Sequence, residues 1–338
     1  MTNWQERHGT FFQGAKVLVT GGAGFIGSHL TWALVRLGAS VLVLDDLSGG
    51  DWNNLAPIAA EAGERLQFIK GSILDEAAVA RSVAGCRLVF HLAALGSVPR
   101  SVSEPRLYTQ VNVMGTLNVL EAARQAQVQR VMFAASSAAY GDAPTLPKIE
   151  TMPVLPRSPY AASKVSCEAL LMAYACCYGM DTAALRYFNI FGPRQNANSA
   201  YAAVIAAFAK SLAAGQRPVI YGDGTQSRDF TFVANAVHAN LLAARSSKPL
   251  GGQVINIACG RSITVNELAV LMAQQMGRPE LTALHQPERA GDVKHSLADL
   301  KRGAQLLDYQ PIVAFEPGLE ETVAWYRSVL TCAAAGIQ

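Results

Sequence analysis

The chain has 338 residues, 51% of them apolar and 16% charged, with a formal charge of +3. That length can bury one large core or two intimate lobes. No run approaches the roughly 20 uninterrupted apolar residues of a membrane span, the polar stretch Met1 to Gln13 holds no apolar signal core, and the basic residues are too scattered for a nucleic-acid footprint. A cytoplasmic protein with no membrane or nucleic-acid partner is expected.

The first predicted strand, Lys16–Thr20, runs into Gly21-Gly22-Ala23-Gly24-Phe25-Ile26-Gly27, and a helical pattern follows from Phe25 to about Gly38. Glycines between strand and helix let the backbone turn tightly and approach a pyrophosphate, which the helix N-terminus attracts through free N–H groups and partial positive charge. The second strand, Val41–Leu44, ends at Asp45-Asp46, 24 residues after Gly21. A carboxylate there suits the 2′-hydroxyl of an adenosine ribose and repels a 2′-phosphate, which favours NAD over NADP.

Further strands are predicted at Leu66–Lys70, Leu88–His91, Val131–Ala135 and Ala183–Tyr187, alternating with helical patterns. This is the pattern of an α/β fold, a Rossmann-type doubly wound parallel sheet. The strand at Val131–Ala135 ends in Ser136-Ser137, hydroxyls at the carboxyl edge where ligands of open sheets bind. Ser158-Pro159 marks a helix start, and Tyr160 and Lys164 share a face of that helix at i, i+4. An ammonium near a phenol favours the phenolate.

After Asn189 the pattern changes. A polar loop, Gly192 to Asn198, leads to an apolar helix from Ala200 to Ala214, then Pro218–Tyr221 and the turn Gly222-Asp223-Gly224. A smaller C-terminal lobe over the sheet's carboxyl edge is expected, with the segments Phe230–Ala244 and Val254–Ala258 returning to the sheet. The cysteines Cys86, Cys167, Cys176, Cys177, Cys259 and Cys332 show no Cys-x-x-Cys spacing. They read as reduced, mostly buried thiols, and no metal site is expected.

Taken together, Gly21-x-x-Gly24-x-x-Gly27, His91-Leu92-Ala93-Ala94, Asn112, Ser136-Ser137, Tyr160-x-x-x-Lys164, Arg186-Tyr187-Phe188-Asn189, Arg228-Asp229-Phe230 and Arg289-Ala290-Gly291-Asp292 resemble the extended short-chain dehydrogenases/reductases. The chain is most similar to the bacterial UDP-N-acetylglucosamine/UDP-N-acetylgalactosamine 4-epimerases, from about Lys16 to Tyr326. The resemblance implies an NAD-binding Rossmann domain over 14–190, with 230–262 returning to it, and a UDP-sugar-binding lobe over 191–229 and 263–330. It implies a homodimer paired through helices near Pro105–Gln125 and Ser158–Tyr178.

The same resemblance implies roles. Tyr160 is the base, Ser136 (or Ser137) hydrogen-bonds the sugar oxygen, and Lys164 holds the nicotinamide ribose. The cofactor is contacted by Gly21, Gly24, Phe25, Ile26, Gly27, Asp45, Asp46, Ser72, Ile73, Ala93, Ala94, Asn112 and Tyr187. Many relatives carry an aspartate where Ser72 stands, so a weaker contact to adenine is expected. Arg228 and Arg289 grip the UDP diphosphate, Asp292 the uridine ribose, Val219 and Tyr221 the uracil. Asn189 contacts diphosphate and sugar. Gly96, Ser97, Gln195, Ala203 and Val204 line the sugar pocket.

Two positions discriminate among reactions and sugars. Related 4,6-dehydratases carry Asp-Glu after the catalytic position, and decarboxylases a glutamate nearby. Ser137-Ala138 supplies no such acid or base, leaving hydride removal and return. Glucose-restricted epimerases close the pocket with a tyrosine four residues after the acid of the Arg-x-Gly-Asp motif. Here that residue is Ser296, which leaves room for an N-acetyl group and favours UDP-GlcNAc and UDP-GalNAc. UDP-glucose, or UDP-glucuronate and its N-acetylated form with Arg100 near C6, are alternatives. A non-catalytic NAD-binding regulator is a further one, disfavoured by the presence of both Tyr160 and Lys164.

Overall fold

The computed structural model describes residues 2–196, 204–288 and 294–334. A short helix α1 (Trp4–His8) precedes β1 (Lys16–Thr20), α2 (Phe25–Arg36), β2 (Ser40–Asp45), α3 (Ala56–Ala62), β3 (Leu66–Lys70), α4 (Glu76–Val83) and β4 (Leu88–His91). Helices α5 (Val98–Ser103) and α6 (Pro105–Tyr108) lead into a π turn, Thr109–Met114, and then α7 (Gly115–Gln125). Strand β5 (Arg130–Ser136), a 3₁₀ turn (Ser137–Tyr140), α8 (Pro159–Tyr178) and β6 (Thr182–Tyr187) follow.

The remaining chain alternates short strands and helices. It comprises β7 (Ile190–Phe191), α9 (Val204–Ala213), β8 (Val219–Tyr221), β9 (Ser227–Arg228), β10 (Thr231–Phe232), α10 (Val233–Arg245) and β11 (Gln253–Ile257). Last come β12 (Ile263–Thr264), α11 (Val265–Gln275), β13 (Leu284–Gln286), α12 (Lys301–Leu307) and α13 (Phe315–Ala334).

Seven parallel strands form the main sheet in the order β11-β6-β5-β4-β1-β2-β3. From β1 the chain winds outward to β2 and β3, and from β4 in the opposite direction. The switch point between β1 and β4 opens a crevice at the carboxyl ends. Both faces of the sheet are covered, so its inner strands are largely apolar, yet alternate residues go to different cores. Val17, Val19, Val41 and Val43 pack with Leu34 of α2 and Val237 and Leu241 of α10. Leu18, Leu42 and Leu44 pack with Val79 of α4, Leu120 of α7 and Leu171 of α8. Over Phe230–Ala244 the chain is mainly helix α10, laid on β5 and β6.

A separate core joins α9, α11 and α13 with the aromatic cluster Phe191, Phe230, Phe232 and Phe315. Helix starts follow local chemistry. Ser158 caps α8 by accepting from Ala161 N, with proline in the first turn, and Thr264 and Glu267 form a reciprocal capping box on α11. The thiols are more exposed than expected: Cys86 and Cys167 are buried and Cys259 is half-buried, but Cys176 and Cys177, on the last turn of α8, face solvent. No described helix is long and apolar enough to cross a membrane.

Candidate active site

A cleft of about 320 Å³ opens at the switch point, lined by the β1–α2 loop and the carboxyl ends of β2, β4, β5 and β6. Gly21 turns at φ +70°, and a Cβ there would lie 2.6 Å from Ala93 N. A Cβ on Gly27 would lie 2.0 Å from Gly21 O. Only glycine permits this stacking of the loop against β4 and α2. Gly24 is the N-cap of α2 and no side chain caps that helix, so the first-turn N–H groups remain available to an anion at the cleft wall formed by Gly24, Phe25, Ile26 and Gly27.

Asp45, buried at the end of β2, accepts from Ala23 N and Leu47 N at 2.9 Å each. Burial raises its pKa, and the backbone N–H bonds oppose that rise. Two backbone bonds hold the carboxylate in place, and its other lone pairs suit ribose hydroxyls. Asp46 also lines the cleft and accepts from Ser48 N at 2.9 Å. That bond folds Ser48-Gly49-Gly50 over the cleft, a stretch sequence reasoning missed; a glycine doublet after an acid pair was the available signal. Ile73, Ala93, Ala94, Gly96 and Tyr187 line the same space. Ser72 does not: its neighbours Gly71 and Ile73 do, while its hydroxyl accepts from Leu74 N at 3.2 Å within the turn. The bare glycine cradle, the uncapped helix start and the anchored carboxylate fit NAD.

The catalytic candidates meet at the inner wall. Tyr160 and Lys164, one turn apart on α8, both line the cleft. Burial pushes the Tyr160 phenol up, and a hydrogen bond with the Ser136 side chain draws it back. Ser136 Oγ accepts from Ala138 N at 3.2 Å, which leaves its single proton to serve the phenol oxygen. Lys164 is buried, donates to Ala134 O at 2.8 Å, and sits 4.6 Å from the centre of the Phe133 ring. Burial lowers its pKa to about 8. Ser136, rather than Lys164, is thus the direct partner of the phenol.

Asn112 lies beneath the cleft, inside the π turn, and does not line it. Its Oδ1 accepts from Leu95 N at 2.8 Å, and its Nδ2 donates to Leu95 O at 3.1 Å and Ser163 Oγ at 3.0 Å. Tyr187 Oη accepts from Asn240 Nδ2 at 2.6 Å.

The C-terminal part contributes a second group of residues. Asn189 adopts a left-handed φ of +38°, and its Oδ1 accepts from Ser296 Oγ at 3.3 Å. Ser296 N donates to Ser227 O at 3.0 Å and Ser262 Oγ to Ser296 O at 3.2 Å, so the Ser296 backbone is pinned. Asp229 is fully buried and accepts from Cys259 N, Gly260 N and Ala298 N at 2.9–3.2 Å. Burial raises its pKa to about 6. It clamps backbone segments together.

Arg228 Nη1 donates to Ser227 O and Lys294 O. Val219 and Tyr221 lie half-buried on β8, paired with β13. Gln195 is turned inward, donating from Nε2 to Ile190 O at 3.1 Å, and Val204 opens α9. A Cβ on Gly96 would meet nothing within 4 Å. Ser97 caps α5, accepting from Arg100 N at 3.2 Å. Arg100 is exposed and paired with Glu104. Ala203, Arg289 and Asp292 lie outside the described residues. Among the described residues no cluster of metal-ligating side chains occurs.

The chain matches the model of the NAD dependent epimerase/dehydratase family over residues 17–258. It is 40% identical over 316 residues to a UDP-glucose 4-epimerase of Mycolicibacterium smegmatis, covering 93% of this chain and 99% of that protein. Among solved structures it is similar to UDP-N-acetylglucosamine 4-epimerase from Methanobrevibacter ruminantium M1 in complex with UDP-N-acetylmuramic acid, with 42% identity and a TM-score of 0.88, covering 94% and 99% of the two chains. The UDP-glucose 4-epimerase of Thermus thermophilus, solved with NAD, is 34% identical with a TM-score of 0.82, covering 92% and 99%.

Proposed function

Because this chain belongs to the NAD dependent epimerase/dehydratase family and is an NAD-dependent UDP-sugar 4-epimerase, we propose that its substrates are UDP-GlcNAc and UDP-GalNAc. The observation that carries this reading is the small, nearly buried Ser296 against Asn189. Gly96 faces open space and adds room for a C2 substituent.

The glycine loop, Asp45 and Lys164 would hold NAD, which would supply a reversible hydride acceptor at the sugar's C4. Tyr160 removes the proton of the C4 hydroxyl and later restores it. Ser136 steadies the phenolate with its single proton and accepts from the C4 hydroxyl as that proton is relayed to Tyr160, a general-base arrangement of a type that contributes about 10²–10⁴-fold. Lys164, charged in a buried setting, favours that phenolate electrostatically. Epimerisation requires the 4-keto sugar to turn over in the pocket so that its opposite face is presented. Ala138 brings no acid or base to this spot, which supports epimerisation over loss of water.

Arg228 and Arg289 are assigned to the diphosphate through their planar donors, Asp292 to the uridine ribose, and Val219 and Tyr221 to the uracil. A homodimer paired through the region of α7 and α8 is part of the same reading. Acidic UDP-sugars are disfavoured because Arg100, their nearest cation by motif, is exposed and engaged by Glu104. Incubation of the purified protein with UDP-GlcNAc, followed by NMR, should yield UDP-GalNAc. Turnover of UDP-glucose or UDP-glucuronate without turnover of UDP-GlcNAc overturns the substrate assignment.

A further inference from the structure

His91 ends β4 and is 1% exposed, directly under the cleft but not in its wall. Its Nδ1 lies 2.7 Å from Thr20 Oγ1 and its Nε2 lies 2.9 Å from Thr116 Oγ1. The protons in this cluster can be placed. Thr116 Oγ1 is 2.5 Å from Asn112 O, an acceptor only, so Thr116 spends its single proton there. Toward His91, Thr116 therefore accepts, and Nε2 carries the hydrogen. Burial, with Lys164 across the Phe133 ring, lowers the His91 pKa to about 3, so the ring is neutral and Nδ1 is bare. Thr20 then donates to Nδ1, and its oxygen accepts from Ala93 N at 3.3 Å.

The cluster is a one-way chain with two outlets. At one end Ala93 N belongs to the floor of the dinucleotide cleft. At the other, Asn112 sits in the π turn, whose carbonyl accepts from Thr116 and from Cys167 Sγ at 3.2 Å. The Asn112 amide then reaches Ser163, whose hydroxyl donates to Tyr160 O at 2.7 Å. A π turn at such a place is a recurrent mark of a functional region.

We propose that His91, as the neutral Nε2–H imidazole, is a positioning residue for both halves of the site, setting the cofactor floor through Thr20 and Ala93 and the catalytic tyrosine's helix through Thr116 and Asn112. The second half rests on Tyr160 being the base; the first does not. Either bond of the ring can be deleted with an isosteric change, Thr20→Val or Thr116→Val, which makes the two outlets separable.

The test reads three quantities on the full-length enzyme as purified: NAD per chain after repeated dilution, kcat on the UDP-sugar that is turned over, and the imidazole ¹⁵N spectrum. Thr20→Val is expected to weaken NAD retention by about tenfold while the loaded fraction keeps its kcat, the scale of one lost buried hydrogen bond. Thr116→Val is expected to keep its NAD, lose about tenfold in kcat, and shift His91 toward the Nδ1–H tautomer. A wild-type Nδ1–H tautomer overturns the proposal. So does a drop in melting temperature in both variants with NAD per chain and kcat per folded chain unchanged. If no UDP-sugar is turned over at all, the reading of function fails, yet NAD retention and the tautomer still decide this proposal.

Discussion

Ser296 Oγ donates to Asn189 Oδ1 across 3.3 Å, joining the segment after β13 to the link between β6 and β7. This contact sets the orientation of the Asn189 amide and leaves its Nδ2 as a donor. Ser296 therefore contributes a bond as well as a small volume at this position. Ser296→Tyr should lower kcat/KM for UDP-GlcNAc relative to UDP-glucose by roughly tenfold or more, the scale of a filled subsite. Ser296→Ala separates the two effects, since it keeps the space and removes the bond. An unchanged preference in the tyrosine variant counts against the pocket assignment.

Tyr160→Phe removes only the phenolic oxygen that Ser136 engages. Turnover should fall about 10²–10⁴-fold, while NAD content of the purified protein stays at the wild-type level. Steady-state kinetics and absorbance of the released cofactor read the two separately. Residual activity near wild type would leave the proton transfer without a base.

Acid should unfold the protein through its histidines. His8, His91 and His238 are buried, and burial is the largest cause lowering each; His8 and His91 fall to about 3 and His238 to about 4. His8 and His238 share a 3.0 Å hydrogen bond, with the cations Arg7 and Arg245 lowering both. Unfolded histidine binds a proton near 6.5, so between about 6.5 and 4 the unfolded chain holds more protons, and stability is lost as pH falls. Asp229, raised to about 6, opposes this because the folded state takes its proton first. His29, lowered to about 4, adds to the loss and Asp45, raised by burial, opposes it, so four histidines against two carboxylates give a net loss. Urea midpoints at pH 7, 5.5 and 4.5 should fall in order, and a flat series would refute this.

Arg186 and Glu168 form a buried two-bond pair, Nε to Oε1 at 2.8 Å and Nη2 to Oε2 at 2.7 Å, with the guanidinium 4.6 Å from the Tyr140 ring centre. Glu168→Ala strands the cation and should cost about 3–5 kcal/mol in denaturant unfolding. The double variant with Arg186→Met should recover much of that loss. A single-variant cost below about 1 kcal/mol would show that water reaches the site.

Much of this architecture can be read from local pattern. The strand at Lys16–Thr20, the helix start at Ser158-Pro159 and the one-turn spacing of Tyr160 and Lys164 depend on neighbours in sequence, and the structure has them as the residues dictate. Contacts made at long range are the ones that escape such reading. Ser48-Gly49-Gly50 reach the cleft only because Asp46 folds the loop back and Gly50 rests on Ala23. The π turn at Thr109–Met114 interrupts what the family resemblance presents as one helix from Pro105 to Gln125. Thr20 and Thr116 look like ordinary strand and helix residues until the sheet brings both to His91.

The glycines that line the cleft differ in what would forbid a side chain. At Gly21 and Gly27 the obstacle is the chain itself, since an added carbon would overlap backbone atoms at 2.6 and 2.0 Å. At Gly96 nothing stands within 4 Å. A mutational scan scored only for folding should reject replacements at the first two positions even in cells starved of dinucleotide, and should accept alanine at the third. Intolerance appearing at residue 96 only when growth depends on turnover would then report the ligand's own shape, measured without a crystal.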